Sequence, residues 1–326
     1  MKAKNKDEKE NNGIFTLAMK RSCLRYFSMM ILWGMILLWG GDVCGEERKS
    51  TLLLVGYSSR VFVDVDLEDA KAVTNLWTDI LTRQSGYKAG ANVTIYQDLQ
   101  TLEKDVKAKK SDLLVVMACE FLEIKSRVTL DPILVSEFEN GVYEEMVLLV
   151  RKEKNISSFS NLRHKPIAIP KGLFMTTCQL WLETCLMREG ILNPKTFFSN
   201  MKEVQKPSQA VLQVFFKQVD ACIVNRNAFT TMIELNPQVG KELMPVVTSP
   251  GIPGGVVSIR VDLDDQDKKS IFDTLTAMHT NPQGKQLLTF FRKKRLVPFK
   301  AEYLRTIEDL VKEHHDLQMR LAKKGQ

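Results

Sequence analysis

From Thr51 onward, short apolar runs alternate with longer stretches in which apolar residues return every three or four positions. This alternation limits the folds open to the chain more than any other feature. A short run that is apolar throughout must be buried on both faces, as a strand is in a parallel sheet covered by helices. Thr51-Leu52-Leu53-Leu54-Val55-Gly56 is such a run, and the Ser-rich stretch Tyr57-Ser58-Ser59 reads as the turn after it. Residues 66–84 then place Leu67, Ala70, Val73, Leu76, Trp77, Ile80 and Leu81 on one helical face, closed by Gly86. A strand over 91–96, a helix over 99–109 and a buried strand over 112–117 follow.

Near Tyr143 the chain changes use. The apolar run Glu145–Val150 reads as a strand that crosses into a second set. That set has a strand at 166–170, a helix over 176–188 ended by Gly190, a short strand at 197–201, a helix over 208–218, a strand at 220–224 and a helix over 228–234. The strand 243–247 leads into the breaker-rich Thr248–Gly255, and a strand at 256–260 and helices over 265–279 and 282–291 complete the order. The expected fold class is therefore α/β, with two doubly wound lobes joined by two crossing strands. Residues 46–144 and 247–300 form the first lobe, 145–246 the second, and 301–326 a C-terminal amphipathic helix. Such sheets bind ligands at the carboxyl ends of their strands, so the two lobes face one cleft that can close by a hinge.

The N-terminus bears on location. Sixteen uncharged residues with an apolar centre lie between Arg25 and Asp42, behind Lys20, Arg21 and Arg25. A basic region, a short apolar region and a small-residue exit describe a secretory signal, and the run is too short to span a bilayer. Residues 1–45 are expected to be the signal, with Met19 the expected start and cleavage after Gly45. Retention as an anchor and lipidation at Cys44 remain open, and in each case the chain is exported to the periplasm. The signal takes seven of the 46 Lys/Arg and four of the 39 Asp/Glu, which leaves 39 against 35 and a net charge of +4. That charge is no footprint for nucleic acid. Cys119, Cys178, Cys185 and Cys222 have neither CxxC spacing nor a nearby His, so they predict neither a zinc nor a thioredoxin-type site, and they read as buried thiols with a Cys119–Cys222 bridge left open. No GxSxG, P-loop or HExxH pattern occurs. The expectation is a non-enzyme without cofactor or metal.

The residue types at the strand ends suggest where a ligand would sit. Met175-Thr176-Thr177 opens a helix directly after a strand and a Gly turn; free N–H groups, the positive dipole end and two hydroxyls suit an anion there, although a Thr that caps its own helix fits the same pattern. In the other lobe, Tyr57, Ser58 and Ser59 follow the first strand, and Glu120 follows the strand at 112–117. Arg60 beside them either pairs with an oxyanion or is a solvated loop residue, and Glu120 either meets a cation or caps the next helix. Tyr143, at the crossing, is either an aromatic wall or hinge packing. The basic run Phe291–Arg295 reads as the solvated end of a helix.

The stretch from Thr51 to Pro298 resembles the phosphonate/phosphate-type solute-binding proteins of ABC importers, of the type II periplasmic binding fold. Four segments carry the resemblance in order. Asn161-Leu162-Arg163-His164-Lys165-Pro166-Ile167-Ala168-Ile169 is similar to the family's DLKGKRVAF strand, and Thr176-Thr177 stands at its Ser/Thr-rich turn. Gln218–Val224 is similar to GxVDAAAV, and Val247–Pro253 to the SPPIP return crossing. The resemblance implies that the Thr176-Thr177 turn holds the ligand's oxyanion, and it places Ser208 near the family's second-lobe His and Asn225 at its acidic residue. The departures bear on the substrate: Met175–Gln179 lacks the STSG pattern, Lys206-Pro207-Ser208 replaces GSH, and Asn225 is not an acid, which disfavours an aminoalkyl ligand. The expected function is capture of a small anionic, phosphonate- or phosphate-like ligand by a monomer that delivers it to an ABC permease. The alternative is a binding module that signals to a membrane sensor kinase.

Overall fold

A computed structural model describes residues 52–62, 65, 67–87, 90–171 and 177–324. The signal segment 1–45, with its expected start at Met19 and its Cys44, and the site residues Met175 and Thr176 lie outside the described residues. Residues 49–326 form one compact unit. The α/β reading holds, and the two sheets are the two lobes.

The first lobe begins with β1 (Leu53–Ser58), α1 (Leu67–Ser85), β2 (Ala91–Tyr96), α2 (Leu99–Lys107), β3 (Leu113–Met117), α3 (Ala118–Ile124) and β4 (Leu130–Glu137). A short strand, β5 (Tyr143–Glu144), leaves it. The second lobe holds β6 (Met146–Arg151), β7 (Pro166–Pro170), α4 (Thr177–Arg188), α5 (Pro194–Phe197), β8 (Asn200–Val204), α6 (Pro207–Phe215), β9 (Ala221–Asn225), α7 (Arg226–Leu235), α8 (Pro237–Glu242) and β10 (Leu243–Thr248). The chain returns through β11 (Ile252–Pro253) to β12 (Gly255–Arg260), α9 (Asp265–Ala277), α10 (Pro282–Phe290) and β13 (Arg295–Pro298), and ends in α11 (Arg305–Lys324).

The first sheet runs β13-β4-β12-β3-β1-β2 and the second β10-β6-β9-β7-β8. In each, the parallel strands lie together, β3-β1-β2 and β9-β7-β8, as strand–helix–strand crossovers require. β6 shows why its sequence is apolar without interruption. Met146, Leu148 and Val150 enter one core while Val147 and Leu149 enter another, so successive side chains are buried on opposite faces. β9 divides in the same way, Ala221 and Ile223 against Cys222 and Val224.

The two crossings run side by side. β5 and β11 pair antiparallel, Tyr143 opposite Pro253 and Glu144 opposite Ile252. The Met146 amide donates to Ser249 Oγ at 2.8 Å, and the Ser249 amide returns a bond to the Met146 carbonyl at 2.8 Å. Arg226 Nε donates to Glu145 Oε2, which fastens α7 to the outgoing crossing. α11 packs on α4: its Leu304-flanked start, Ile307 and Leu310 are buried with Trp181, Phe121 and Ile124 in a core to which both lobes contribute.

Some elements differ from expectation. The strand expected at 197–201 starts later, at Asn200 in β8, and Phe197 instead ends a short helix over 194–197 that Asn193 caps by accepting from the Lys195 amide and that Pro194 starts. β1 extends through Ser58, so the turn begins later than the Ser-rich stretch suggests. β4 has no clean apolar pattern, since Asp131, Pro132 and Ser136 interrupt it, and the pairing with β12 shifts register beside Pro132. The run 291–295 is partly engaged: Lys293 Nζ stands 3.9 Å from the centre of the Phe138 ring and Arg295 pairs with Glu137. All four described cysteines are free.

Candidate ligand-binding cleft

The carboxyl ends of β1 and β3 meet through side chains. The Ser58 hydroxyl donates to Glu120 Oε1 at 2.7 Å, the Met117 amide donates to Glu120 Oε2 at 3.0 Å, and Arg60 Nε stands 3.6 Å from Oε1. Ser58 Oγ in turn accepts from the Arg60 amide at 3.2 Å. Glu120 is only 2% exposed. Burial pushes its carboxyl above the ordinary carboxylate range, against the pull of the Met117 and Ser58 hydrogen bonds and of Arg60. The carboxylate therefore both caps α3 and holds an arginine, and its oxygens are occupied within its own lobe.

Across from it stands the start of α4. Thr177, its first residue, is 2% exposed. Its hydroxyl lies against the Cys119 thiol of the other lobe, an interaction that lowers the thiol's pKa while burial, the larger effect, raises it. Thr177 Oγ1 makes no hydrogen bond of good geometry among the described residues. A buried hydroxyl without a partner costs free energy unless something else satisfies it. Arg60 is near enough to favour the Cys119 thiolate electrostatically, so Arg60, Cys119, Glu120 and Thr177 form one cluster from both lobes.

The remaining expected residues fall in different places. Tyr57 is a correction: its ring packs at 5.7 Å from Phe62 and 5.8 Å from Trp77 in the core of the first lobe, and burial raises its hydroxyl pKa. Alternation along β1 sends Tyr57 and Ser58 to opposite faces, so only Ser58 joins the cluster. Ser59 opens a 3-10 turn in which its carbonyl accepts the Phe62 amide at 3.2 Å. Tyr143 lies on β5, 37% exposed, edge-on to Tyr303 at 6.2 Å. Asn225 caps α7, accepting from the Ala228 amide at 3.2 Å, and donates to Glu144 Oε1 at 3.0 Å. Ser208 is half-buried in the first turn of α6, at the same end of the second sheet as the start of α4. Sequence reasoning gave Cys119, beside Glu120 after the strand, no ligand role and left Arg60 undecided; their contacts link distant parts of the chain or cross between lobes, and no local pattern signals them. Among the described residues, no group of three or more His, Cys, Asp or Glu is placed to hold a metal ion, and no helix is long and apolar enough to cross a membrane.

Comparison with known families is decisive here. The family model described as ABC transporter, phosphonate, periplasmic substrate-binding protein matches residues 64–304. The chain belongs to this family. Solved structures share the type II periplasmic binding fold of this phosphonate-binding-protein family member. One is a binding protein component of an ABC phosphonate transporter from Pseudomonas aeruginosa, 16% identical, with a TM-score of 0.55, covering 85% of this chain and 100% of that one. PhnD1 from Prochlorococcus marinus, in complex with methylphosphonate, is 15% identical with a TM-score of 0.59, covering 81% and 98%. A Xanthomonas citri protein bound to ATP is 16% identical with a TM-score of 0.60, covering 83% and 98%. A comparison with curated proteins finds no match.

Proposed function

We propose that this family member is an exported solute-binding protein that captures a small anion, phosphonate- or phosphate-like, between its lobes and presents it to an ABC permease. It does so as a monomer, without chemistry on the ligand. The observation that carries the reading is the buried Thr177 hydroxyl at the start of α4, which lies against the Cys119 thiol of the other lobe and makes no hydrogen bond of good geometry among the described residues, in a chain of the phosphonate-binding family. A helix start presents free N–H groups and the positive end of the dipole, and a hydroxyl beside them adds a donor for an oxyanion. Met175 and Thr176 precede it in sequence and would complete the turn, with Ser208 at the same end of the second sheet. Ser58, Ser59 and Glu120 would support the opposite wall; Tyr143 lies on the crossing that would bend, and Asn225, at the end of β9, bonds to that crossing through Glu144. A ligand touched by both lobes favours the closed arrangement by the free energy of the contacts that closure adds.

The test is a melting series on the purified protein with phosphate, phosphite, methylphosphonate and methanesulfonate. Ligand at 100 times Kd should add about 2.7 kcal/mol and raise the midpoint by several degrees. A protein that binds none of these anions is not the receptor proposed.

A further inference from the structure

The wall opposite Thr177 carries a feature that membership of the family does not explain. Arg60 Nε is drawn to Glu120 Oε1 at 3.6 Å, while its two terminal nitrogens take no hydrogen bond or ion pair among the described residues. Its side chain is 35% exposed, so the guanidinium is anchored at one edge and open at the other. That open edge presents paired N–H donors in a planar fork, the geometry that matches two oxygens of a carboxylate, phosphate or phosphonate. Glu120 fixes the fork but has nothing left to offer a ligand. One oxygen takes the Ser58 hydroxyl and Arg60, the other takes the Met117 amide, and the side chain is buried.

Among the described residues, the carboxylates nearest this cluster in the chain and at the crossing are engaged. Glu145 is paired with Arg226, and Glu144 accepts from Asn225 and Asn227. Glu123 stands 3.8 Å from Arg127. A ligand ammonium brought up to the Arg60 guanidinium would meet a like charge, which costs free energy.

We propose that Arg60 is the cation that receives the ligand's anionic group across from Thr177, and that the cleft consequently selects a compact oxyanion and rejects the same anion bearing an ammonium group. Glu120 and Ser58 are positioning residues that hold the guanidinium. This inference rests on the solute-binding reading above and names the charge class of its ligand.

Calorimetric titration of the purified protein with methylphosphonate, inorganic phosphate and 2-aminoethylphosphonate tests it, with Arg60→Gln and Arg60→Lys alongside. Wild type should bind one of the two simple anions at least about tenfold tighter than 2-aminoethylphosphonate, and Arg60→Gln should weaken that anion by about tenfold or more. Arg60→Lys should recover part of the loss, since it keeps the charge but not the fork. Unliganded melting of the variants shows whether they fold; if Arg60→Gln does not, the wild-type preference decides alone. Equal or tighter binding of 2-aminoethylphosphonate, or a folded Arg60→Gln that binds the simple anion as wild type does, overturns the assignment of Arg60 while leaving a solute-binding protein. Absence of binding by all three probes overturns the underlying reading instead.

Discussion

The Ser58 hydroxyl donates to Glu120 Oε1 at 2.7 Å, a bond between side chains 62 positions apart in sequence. It ties the end of β1 to the helix start that follows the neighbouring parallel strand β3 and sets the carboxylate beside Arg60. The facing wall, at Thr177, carries a buried hydroxyl that no described residue satisfies. If the proposed ligand enters here, such an arrangement would spend little free energy on ordering its own groups.

Thr177→Val separates binding from folding. The replacement keeps the shape and removes a buried hydroxyl whose contact in the described structure is the weakly accepting Cys119 sulfur, so the unliganded protein should melt at nearly the same temperature. Affinity for methylphosphonate or phosphate, whichever binds wild type, should fall about tenfold, the worth of a hydrogen bond to a charged group. A lower melting point with unchanged affinity would make Thr177 a structural residue.

Cys119 reports on the cleft. It is half-buried, while Cys178, Cys185 and Cys222 are buried, and burial holds every one of these thiols above its usual pKa. Maleimide labelling, followed by mass spectrometry of the peptides, should be slow at neutral pH, faster in alkali, and first at Cys119. Saturating ligand should slow Cys119 further, because closure keeps it against Thr177. Labelling of Cys119 that ignores ligand would place the binding event elsewhere.

The last helix is fastened to the second lobe by Arg188, whose Nε and terminal nitrogen meet the two oxygens of Glu313 at 2.7 Å each. The Arg188 guanidinium holds the Glu313 carboxyl below its ordinary 4.5, with burial opposing. A depressed folded pKa contributes stability that is present above the unfolded value and is lost as pH falls through the folded one. Both side chains are more than a third exposed, so screening limits the effect to about 0.5 kcal/mol. Denaturant unfolding should therefore show Glu313→Gln weaker than wild type near neutral pH and indistinguishable from it below the folded pKa. A gap that persists in acid would mean that the loss comes from packing.

Ser249→Ala tests the hinge. The substitution leaves the buried Met146 amide without its acceptor, which should cost about 1–3 kcal/mol in denaturant unfolding. A neutral result would show that the crossing relaxes around the loss.

Much of this architecture could be read from the chain, for identifiable reasons. Runs such as Met146–Arg151 and Pro166–Pro170 are buried on both faces, so every residue reports the same environment and the pattern is unmistakable. β4 escaped because Pro132 and Asp131 sit where its pairing with β12 is irregular and its register shifts. The helix that begins at Thr177 was legible because a helix following a strand is a local signal. Tyr57 packs in the core because β1 runs on to Ser58, past the Gly56 at which its apolar run ends, and neighbouring positions of a strand alternate between core and opposite face. The anchoring of Arg60 by Glu120 depends on two strand ends being adjacent in space, which is a property of the sheet order and not of either segment.

The most direct measurement is a crystal structure of the protein grown with methylphosphonate, or with whichever of the tested anions binds. The account predicts difference density for one anion between the lobes, with its oxygens in hydrogen-bonding reach of the Thr177 hydroxyl at the start of α4 and of the terminal nitrogens of Arg60. Density for the anion elsewhere on the protein, with Thr177 and Arg60 untouched, would contradict it.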